Sequence, residues 1–137
     1  MKKILLIGLC CLCLCGCENK KAKEEEGKIT NKYTSCSISS TNKLIIWEFY
    51  YDDNYNIIED FSLLSNTYDS LSDAIEKEAI QKEKCNNVID GVECSVHRSN
   101  TTVDIGYKNL KPNYNYYDKI AELEANNWNC KELQNNN

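Results

Sequence analysis

Four cysteines in the body of this 137-residue chain offer the most definite chemistry, and they are Cys36, Cys85, Cys94 and Cys130. Four cysteines allow three disulfide pairings, and sequence alone does not select one. We prefer Cys85 with Cys94, which closes a turn through eight intervening residues, and Cys36 with Cys130, which ties the first strand to the C-terminal segment. In the chain-entropy model the long closure contributes about 4 to 5 kcal/mol and the short one about 2 to 3.

The alternative uses of these thiols are a metal site and a redox centre. A zinc site would combine Cys85, Cys94 and His97 with one further ligand, but the two cysteines lack the close spacing of paired zinc ligands. His97 also falls on the opposite strand face from Cys94, because the positions differ by an odd number. Redox catalysis uses a close C-x-x-C pair, which these four positions do not form. We therefore expect no metal and no cofactor.

Other catalytic groups are sparse. His97 is the only histidine, so a hydrolytic triad has little support. Adjacent carboxylates at 52–53 and 59–60 are ordinary in solvated turns, and acid–base work would require a cleft that perturbs their pKa values. The sequence contains no glycine-rich phosphate loop. These observations predict a protein that is not an enzyme.

Tyrosines are the candidates for recognition. Tyr114, Tyr116 and Tyr117 follow a proline in a predicted loop, and Tyr50 and Tyr55 flank the first predicted hairpin. Tyrosine combines apolar area with a polar tip and is favoured at interfaces. The loop tyrosines could therefore form an interaction surface; the alternative is that they cap the edge of a small core.

The remaining cysteines belong to the N-terminal segment and are Cys10, Cys11, Cys13, Cys15 and Cys17. Two lysines precede an apolar run at 4–14, and small residues follow, as is typical of a secretory signal peptide. Eleven helical residues span only about 17 Å, well below the roughly 30 Å of a bilayer core. Residues 1–16 are thus predicted to be a cleaved signal peptide.

The end of this segment, Leu14-Cys15-Gly16-Cys17, resembles a bacterial lipobox. The resemblance implies that Cys17 becomes the mature N-terminus and carries a diacylglyceryl group on its thiol. Each buried methylene contributes about 0.8 kcal/mol, so two or three acyl chains anchor firmly. We expect a lipoprotein on the extracytoplasmic side of the cell membrane, where disulfides are favoured over free thiols.

Composition divides the mature chain into three parts. Residues 17–29 are rich in Lys and Glu and predict a flexible linker, 30–133 predict one domain, and 134–137 predict a frayed tail. Removing residues 1–16 leaves 14 basic against 21 acidic residues, a net charge of −7. An acidic body argues against nucleic acid as a partner.

Hydrophobic periodicity supplies the elements. Strands are predicted at 32–39, 43–51, 55–64, 92–97 and 101–107, and helices at 70–85 and 115–126. Ser70, followed by Asp73, predicts the start of the first helix. In the third strand Ile57, Phe61 and Leu63 are expected to share a face. The prediction is an α+β fold of order β-β-β-α-β-β-α, with an antiparallel sheet of about five strands packed against one main helix and stapled by disulfides.

This order of elements, the stretches at 91–96 (GVECSV) and 101–105 (TTVDI), and the lipobox together resemble the small bacterial lipoproteins of the YehR type. The four body cysteines depart from that type and are similar to a cysteine-bearing variant of it. The resemblance spans roughly residues 30–130. It implies fold and location, and it supplies no catalytic residues.

The function predicted from sequence is that of a non-catalytic, lipid-anchored binding or envelope-associated module. The alternative is a lipoprotein that binds a small ligand in a pocket between sheet and helix. The domain of about 100 residues is too short for a two-lobed transport receptor. The expected partners are the membrane, through Cys17, and either an envelope protein or a small ligand.

Overall fold

A computed structural model describes residues 32–134 of the chain. Its elements are β1 (Lys32–Ser40), β2 (Lys43–Tyr51), β3 (Ile57–Thr67), α1 (Leu71–Cys85), β4 (Val92–Ser99), β5 (Thr102–Asn109), α2 (Tyr116–Ala125) and β6 (Asn129–Gln134). All strands pair antiparallel in one sheet of order β4-β5-β3-β2-β1-β6. The predicted signal peptide, Cys17 and the linker lie outside the described residues.

The α+β class and the antiparallel sheet are confirmed, but the predicted strand count and order are wrong. A sixth strand, β6, follows α2 and pairs with β1 along the edge of the sheet. Its sequence NCKELQ lacks apolar alternation, and only Cys130 is partly buried. An edge strand of this kind buries almost nothing, so it leaves no periodic signal. Gln134, predicted to begin the tail, is its last residue.

Both helices lie on one face of the sheet. Directly opposite residues of antiparallel strands share a face, and the register therefore places Cys36 and Phe49, beneath α2, on the same face as Val103 and Ile105, beneath α1. Beneath α2, the buried Cys36, Phe49 and Leu123 form a cluster that continues into partly buried Trp47, Ile57, Tyr114, Ile120, Trp128 and Cys130. Beneath α1, the buried residues are Ala74, Val103 and Ile105. The single main helix predicted from sequence is therefore replaced by two helices side by side, each over its own part of the sheet.

A β-bulge changes the face assignment in β3. Tyr50 pairs with Glu59 while Tyr51 pairs with Ile57, so one extra residue is inserted in β3. Ile57 consequently packs in the cluster beneath α2, whereas Phe61 lies on the opposite face of the sheet. The prediction that Ile57 shares a face with Phe61 and Leu63 is wrong for this reason.

The face opposite the helices is lined by partly buried side chains. Phe61 crosses the neighbouring strand at Gly106, where an added Cβ would lie 3.3 Å from the Phe61 ring and 2.9 Å from Ser95 Oγ. Tyr33 and Tyr50 stack on the same face with ring centroids 5.3 Å apart. Only glycine at position 106 allows the Phe61 ring to approach so closely.

The helix starts follow the sequence closely. Ser70 Oγ accepts a hydrogen bond from Asp73 N at 3.1 Å, as the predicted cap requires. Asn115 begins α2 in the same way, because its Oδ1 accepts from Tyr117 N at 2.9 Å and Asp118 N at 3.2 Å. Both predicted helices match within a residue at each end.

Two disulfides fasten the elements. Cys36–Cys130 joins directly opposite residues of β1 and β6, with Cα atoms 4.0 Å apart. Cys85–Cys94 joins the last residue of α1 to β4, with Cα atoms 5.3 Å apart. These are the two pairings preferred from the sequence.

Candidate binding site at the tyrosine end of the sheet

Four tyrosines meet where β2 ends and α2 begins. Tyr51 is the last residue of β2, Tyr55 lies in the turn to β3, and Tyr116 and Tyr117 open α2. We name these four residues the tyrosine cluster. Ring centroids are 5.1 Å apart for Tyr51 and Tyr55, 4.7 Å for Tyr51 and Tyr116, and 5.0 Å for Tyr55 and Tyr117. Every ring thus contacts at least one other at the spacing of favourable aromatic pairs.

Tyr55 is held by a hydrogen-bonded turn. Asp52 Oδ1 accepts from Asn54 N at 2.8 Å and from Asn56 N at 2.9 Å. Asp52 O also accepts from Tyr55 N at 3.0 Å. The turn places Tyr55 at φ 61°, a left-handed conformation that costs a non-glycine residue roughly 1 to 3 kcal/mol. These hydrogen bonds hold the backbone of Tyr55 in this conformation. Contacts with the rings of Tyr51, Tyr116 and Tyr117 hold its side chain.

Tyr116 is the buried base of the cluster. Only 4% of its surface is exposed, and its hydroxyl lies 2.6 Å from Thr34 Oγ1 in β1. It also donates to Glu132 Oε1 at 3.4 Å in β6. Burial raises the pKa of the Tyr116 phenol above its ordinary value of 10.0. The neutral phenol connects α2 with β1 and with the edge strand β6.

Next to the cluster, Asp60 is a buried carboxylate with three donors. It accepts from Trp47 Nε1 at 3.0 Å, from Asn109 Nδ2 at 3.2 Å and from the hydroxyl of Tyr114. Burial and this hydrogen bond both raise the pKa of the Tyr114 phenol. Lys119 Nζ lies 4.9 Å from the centre of the Trp47 ring, a cation–π contact. These groups hold the α2 side of the core together, and Asp60 is engaged on both oxygens.

The three tyrosines predicted as an interaction surface have different environments. Tyr114 is half-buried, Tyr116 is buried, and Tyr117 is 59% exposed. Tyr116 and Tyr117 also belong to α2 and not to a loop. The sequence pointed to Tyr55 only as a residue that flanks a hairpin, and it gave Tyr51 no functional role. Asp52 could have predicted the turn that holds Tyr55. The contacts of Tyr55 with Tyr116 and Tyr117 could not be predicted, because they depend on the packing of α2.

Two open hollows share Tyr55 in their linings. The larger has a volume of about 420 Å³ and is lined by Tyr55, Asn56, Ile57, Pro112, Asn113, Tyr114, Asn115 and Tyr116. The smaller, of about 270 Å³, is lined by Lys32, Tyr51, Tyr55, Glu132, Leu133 and Gln134. The larger volume falls within the roughly 300 to 1,000 Å³ of small-molecule sites.

The other candidate groups lie apart from this end or are engaged. Cys85 and Cys94 form a disulfide with each other. His97 lies directly opposite Asp104 in the β4–β5 ladder, on the open face of the sheet, which is the face away from the helices. Among residues 32–134, no three His, Cys, Asp or Glu side chains are grouped so that they could hold a metal ion. The tyrosine cluster and the two hollows beside it, which together we call the tyrosine end, offer aromatic surfaces for stacking and polar groups for hydrogen bonds. Such groups suit the binding of a ligand or partner.

Comparison of the chain with protein-family models, with curated proteins and with solved structures gave no match. The resemblance to lipoproteins of the YehR type therefore rests on the residues quoted for it above. Within residues 32–134, neither helix has the length and apolar character needed to cross a bilayer.

Proposed function

We propose that this protein is a lipid-anchored extracytoplasmic lipoprotein, cysteine-bearing and of the YehR type, that acts as a non-catalytic binding module through its tyrosine end. The observation that carries the proposal is the position of Tyr117. Its ring is 59% exposed yet is supported from below by Tyr55 and by the buried Tyr116. An exposed aromatic ring on a rigid aromatic base is typical of the residues that contribute most to binding.

The predicted anchor would enter the domain beside this surface. Lys32 opens β1 and lines the smaller hollow together with Tyr51 and Tyr55. The fifteen residues from Cys17 to Asn31 can span at most about 50 Å. A lipid on Cys17 would therefore keep the tyrosine end within that distance of the membrane, which favours a partner in the cell envelope.

A binding role without catalysis is supported by the state of the reactive groups. Asp60 accepts three hydrogen bonds, with both of its oxygens engaged, and the four body cysteines are paired in disulfides. Tyr114 and Tyr116 have raised pKa values, so their phenols are neutral hydrogen-bonding groups and not bases.

A small ligand is the second candidate, and the larger hollow favours it. The alternative considered from sequence placed a pocket between sheet and helix. This hollow lies instead between the β2–β3 turn and the segment that leads into α2. Ligand and macromolecular partner would then share Tyr55 and Tyr116.

Site-specific photo-cross-linking in living cells tests the proposed surface. A photoreactive amino acid at position 117 should capture a defined envelope component. The same amino acid at the exposed Glu93, on the open face of the sheet, is the matched control and should not capture it. Identical products from both positions, or no product from position 117, would count against the tyrosine end as the binding surface.

A further inference from the structure

We propose that the larger hollow beside Tyr55 is a saccharide site that takes a neutral sugar unit. This inference rests on the proposed function, because it assigns a ligand class to one part of the tyrosine end.

The lining of the larger hollow is aromatic and amide-rich. Three tyrosines and three asparagines surround it with Ile57 and Pro112, and none of these side chains carries a charge at neutral pH. A charged ligand would lose its hydration here without gaining an opposite charge, which is costly. A ligand with many hydroxyl groups and no charge would lose far less.

The rings supply a surface for the apolar face of a sugar. Tyr55 lies 5.2 Å from Tyr116 between ring centroids, and it is held at positive φ by the Asp52 turn. The face of an aromatic ring is electron-rich and attracts the weakly positive C–H groups of a sugar. Because the ring is already fixed, little conformational entropy is lost when a ligand stacks on it.

The amides supply complementary polar atoms. Asn56 donates Nδ2 to Asp52 at 2.9 Å, which leaves its Oδ1 as an acceptor. Asn115 uses Oδ1 for the two N–H groups that begin α2, which leaves its Nδ2 as a donor. Asn113 is exposed, and no hydrogen bond joins its side chain to another described residue. Sugar hydroxyls both donate and accept, so they match this mixed set.

The smaller hollow provides an internal contrast. It shares Tyr55 but is lined by Lys32 and Glu132, so its wall carries charges of both signs. A neutral sugar should therefore prefer the larger hollow. The two hollows can be distinguished by substituting one amide in each lining, Asn113 in the larger and Gln134 in the smaller.

The test uses the mature full chain in a detergent without a sugar head group. Ligand-observed NMR titrations with maltotetraose, cellotetraose and the tetrasaccharide of N-acetylglucosamine report soluble binding, and pelleting with isolated cell-wall glycan reports binding to a polymer. Tyr55→Gly removes the ring but suits the positive φ, and it should weaken binding about tenfold. Asn113→Ala should weaken it roughly three- to tenfold.

Two controls have matching chemistry. Tyr33→Ala removes a stacked tyrosine from the opposite face, and Gln134→Ala removes an amide from the smaller hollow; both should leave saccharide affinity unchanged. Each variant is checked for cooperative unfolding before titration. Binding by the wild type that is insensitive to Tyr55→Gly and Asn113→Ala would overturn the site.

The failure of this inference is distinguishable from failure of the proposed function. If no saccharide and no glycan binds while position 117 still captures an envelope component, the ligand class is wrong and the binding surface stands. If a charged tetrasaccharide such as tetragalacturonate binds as tightly as the neutral ones, the assignment to a neutral sugar is overturned.

Discussion

At the scale of single residues, Asp60 is a core position that requires a carboxylate. A carboxylate can accept all three of its hydrogen bonds, from Trp47, Asn109 and Tyr114. An asparagine would turn an N–H group toward at least one of these donors. Glu59 and Asp60 were expected to lie in a solvated turn. Both lie within β3 instead, and Asp60 is only 5% exposed.

Asp60→Asn should lower the free energy of unfolding by about 2 kcal/mol or more, because a charge-assisted bond is lost and a donor is left unsatisfied. Urea unfolding followed by tryptophan fluorescence measures the change. Asp69→Asn, at an exposed position, is the control and should stay within about 0.5 kcal/mol of the wild type. Equal urea midpoints for Asp60→Asn and the wild type would contradict this account of the network.

The tyrosines make stability depend on alkaline pH. Burial and the bond to Asp60 raise the pKa of Tyr114, so the folded state keeps a proton that the unfolded chain releases above pH of about 10. The stabilisation from this phenol is complete below that pH and is lost as the pH rises above it. Tyr50 and Tyr116 act in the same direction.

Tyr114→Phe tests this assignment. It should be less stable than the wild type near pH 8, because Asp60 loses a donor, and its stability should fall less between about pH 9 and 11. Urea midpoints at a series of pH values measure both effects. A decline as steep as that of the wild type would show that Tyr114 does not carry the linkage.

At the scale of elements, β6 is held at the edge of the sheet by its antiparallel pairing with β1 and by a disulfide. It buries little, and Cys36–Cys130 fixes it at the edge of the sheet in register with β1. Cys85–Cys94 closes a span of only 9 residues, against 94 for the other bridge. Because loop closure entropy grows with the length of the loop, the two bridges should contribute unequally.

Replacing Cys36 and Cys130 together by alanine should therefore lower the free energy of unfolding by about 4 to 5 kcal/mol, and replacing Cys85 and Cys94 by about 2 to 3. Chemical denaturation of both double variants beside the wild type measures the order. Each pair is the control for the other, since both remove one disulfide. A larger loss from the Cys85 and Cys94 pair would contradict the ranking.

The bounds of the elements could largely be predicted from the sequence, whereas the face of one strand could not. Strand β2 and helix α1 were predicted within a residue, because Ile45, Trp47 and Phe49 alternate on one face and Ser70 supplies a local cap. The prediction that Ile57 shares a face with Phe61 was wrong, since the bulge in β3 opposite Tyr50 and Tyr51 is decided by pairing with the neighbouring strand. Strand periodicity and helix caps depend on residues close together in sequence. The register of a strand depends also on the neighbouring strand with which it pairs.

At the scale of the whole molecule, the proposed attachment is independent of the domain. Cys17→Ala should leave the fold intact and move the protein from the membrane to the soluble fraction, because a diacylglyceryl group contributes many buried methylenes at about 0.8 kcal/mol each. Fractionation with metabolic labelling by an alkyne fatty acid measures both location and lipid. Cys15→Ala, within the predicted signal peptide, is the control and should remain labelled and membrane-bound.

If Cys17→Ala still sediments with membranes and carries the label, the lipobox assignment is wrong. In that case the tyrosine end would remain the proposed binding surface, since its geometry depends only on residues 32–134, but the argument from the anchor for an envelope partner would be lost.

The sequence by itself determined the α+β class, both helices and most strand positions, because these depend on periodicity and caps along the chain. It left three cysteine pairings possible, and the structure contains the preferred one. Only the tertiary structure placed Tyr55 against Tyr116, which lie far apart in sequence, and only it separated the exposed Tyr117 from the buried Tyr116. It also turned Asp60 inward and added β6. These features arise from contacts between distant segments, and such contacts leave no periodic trace in either segment alone.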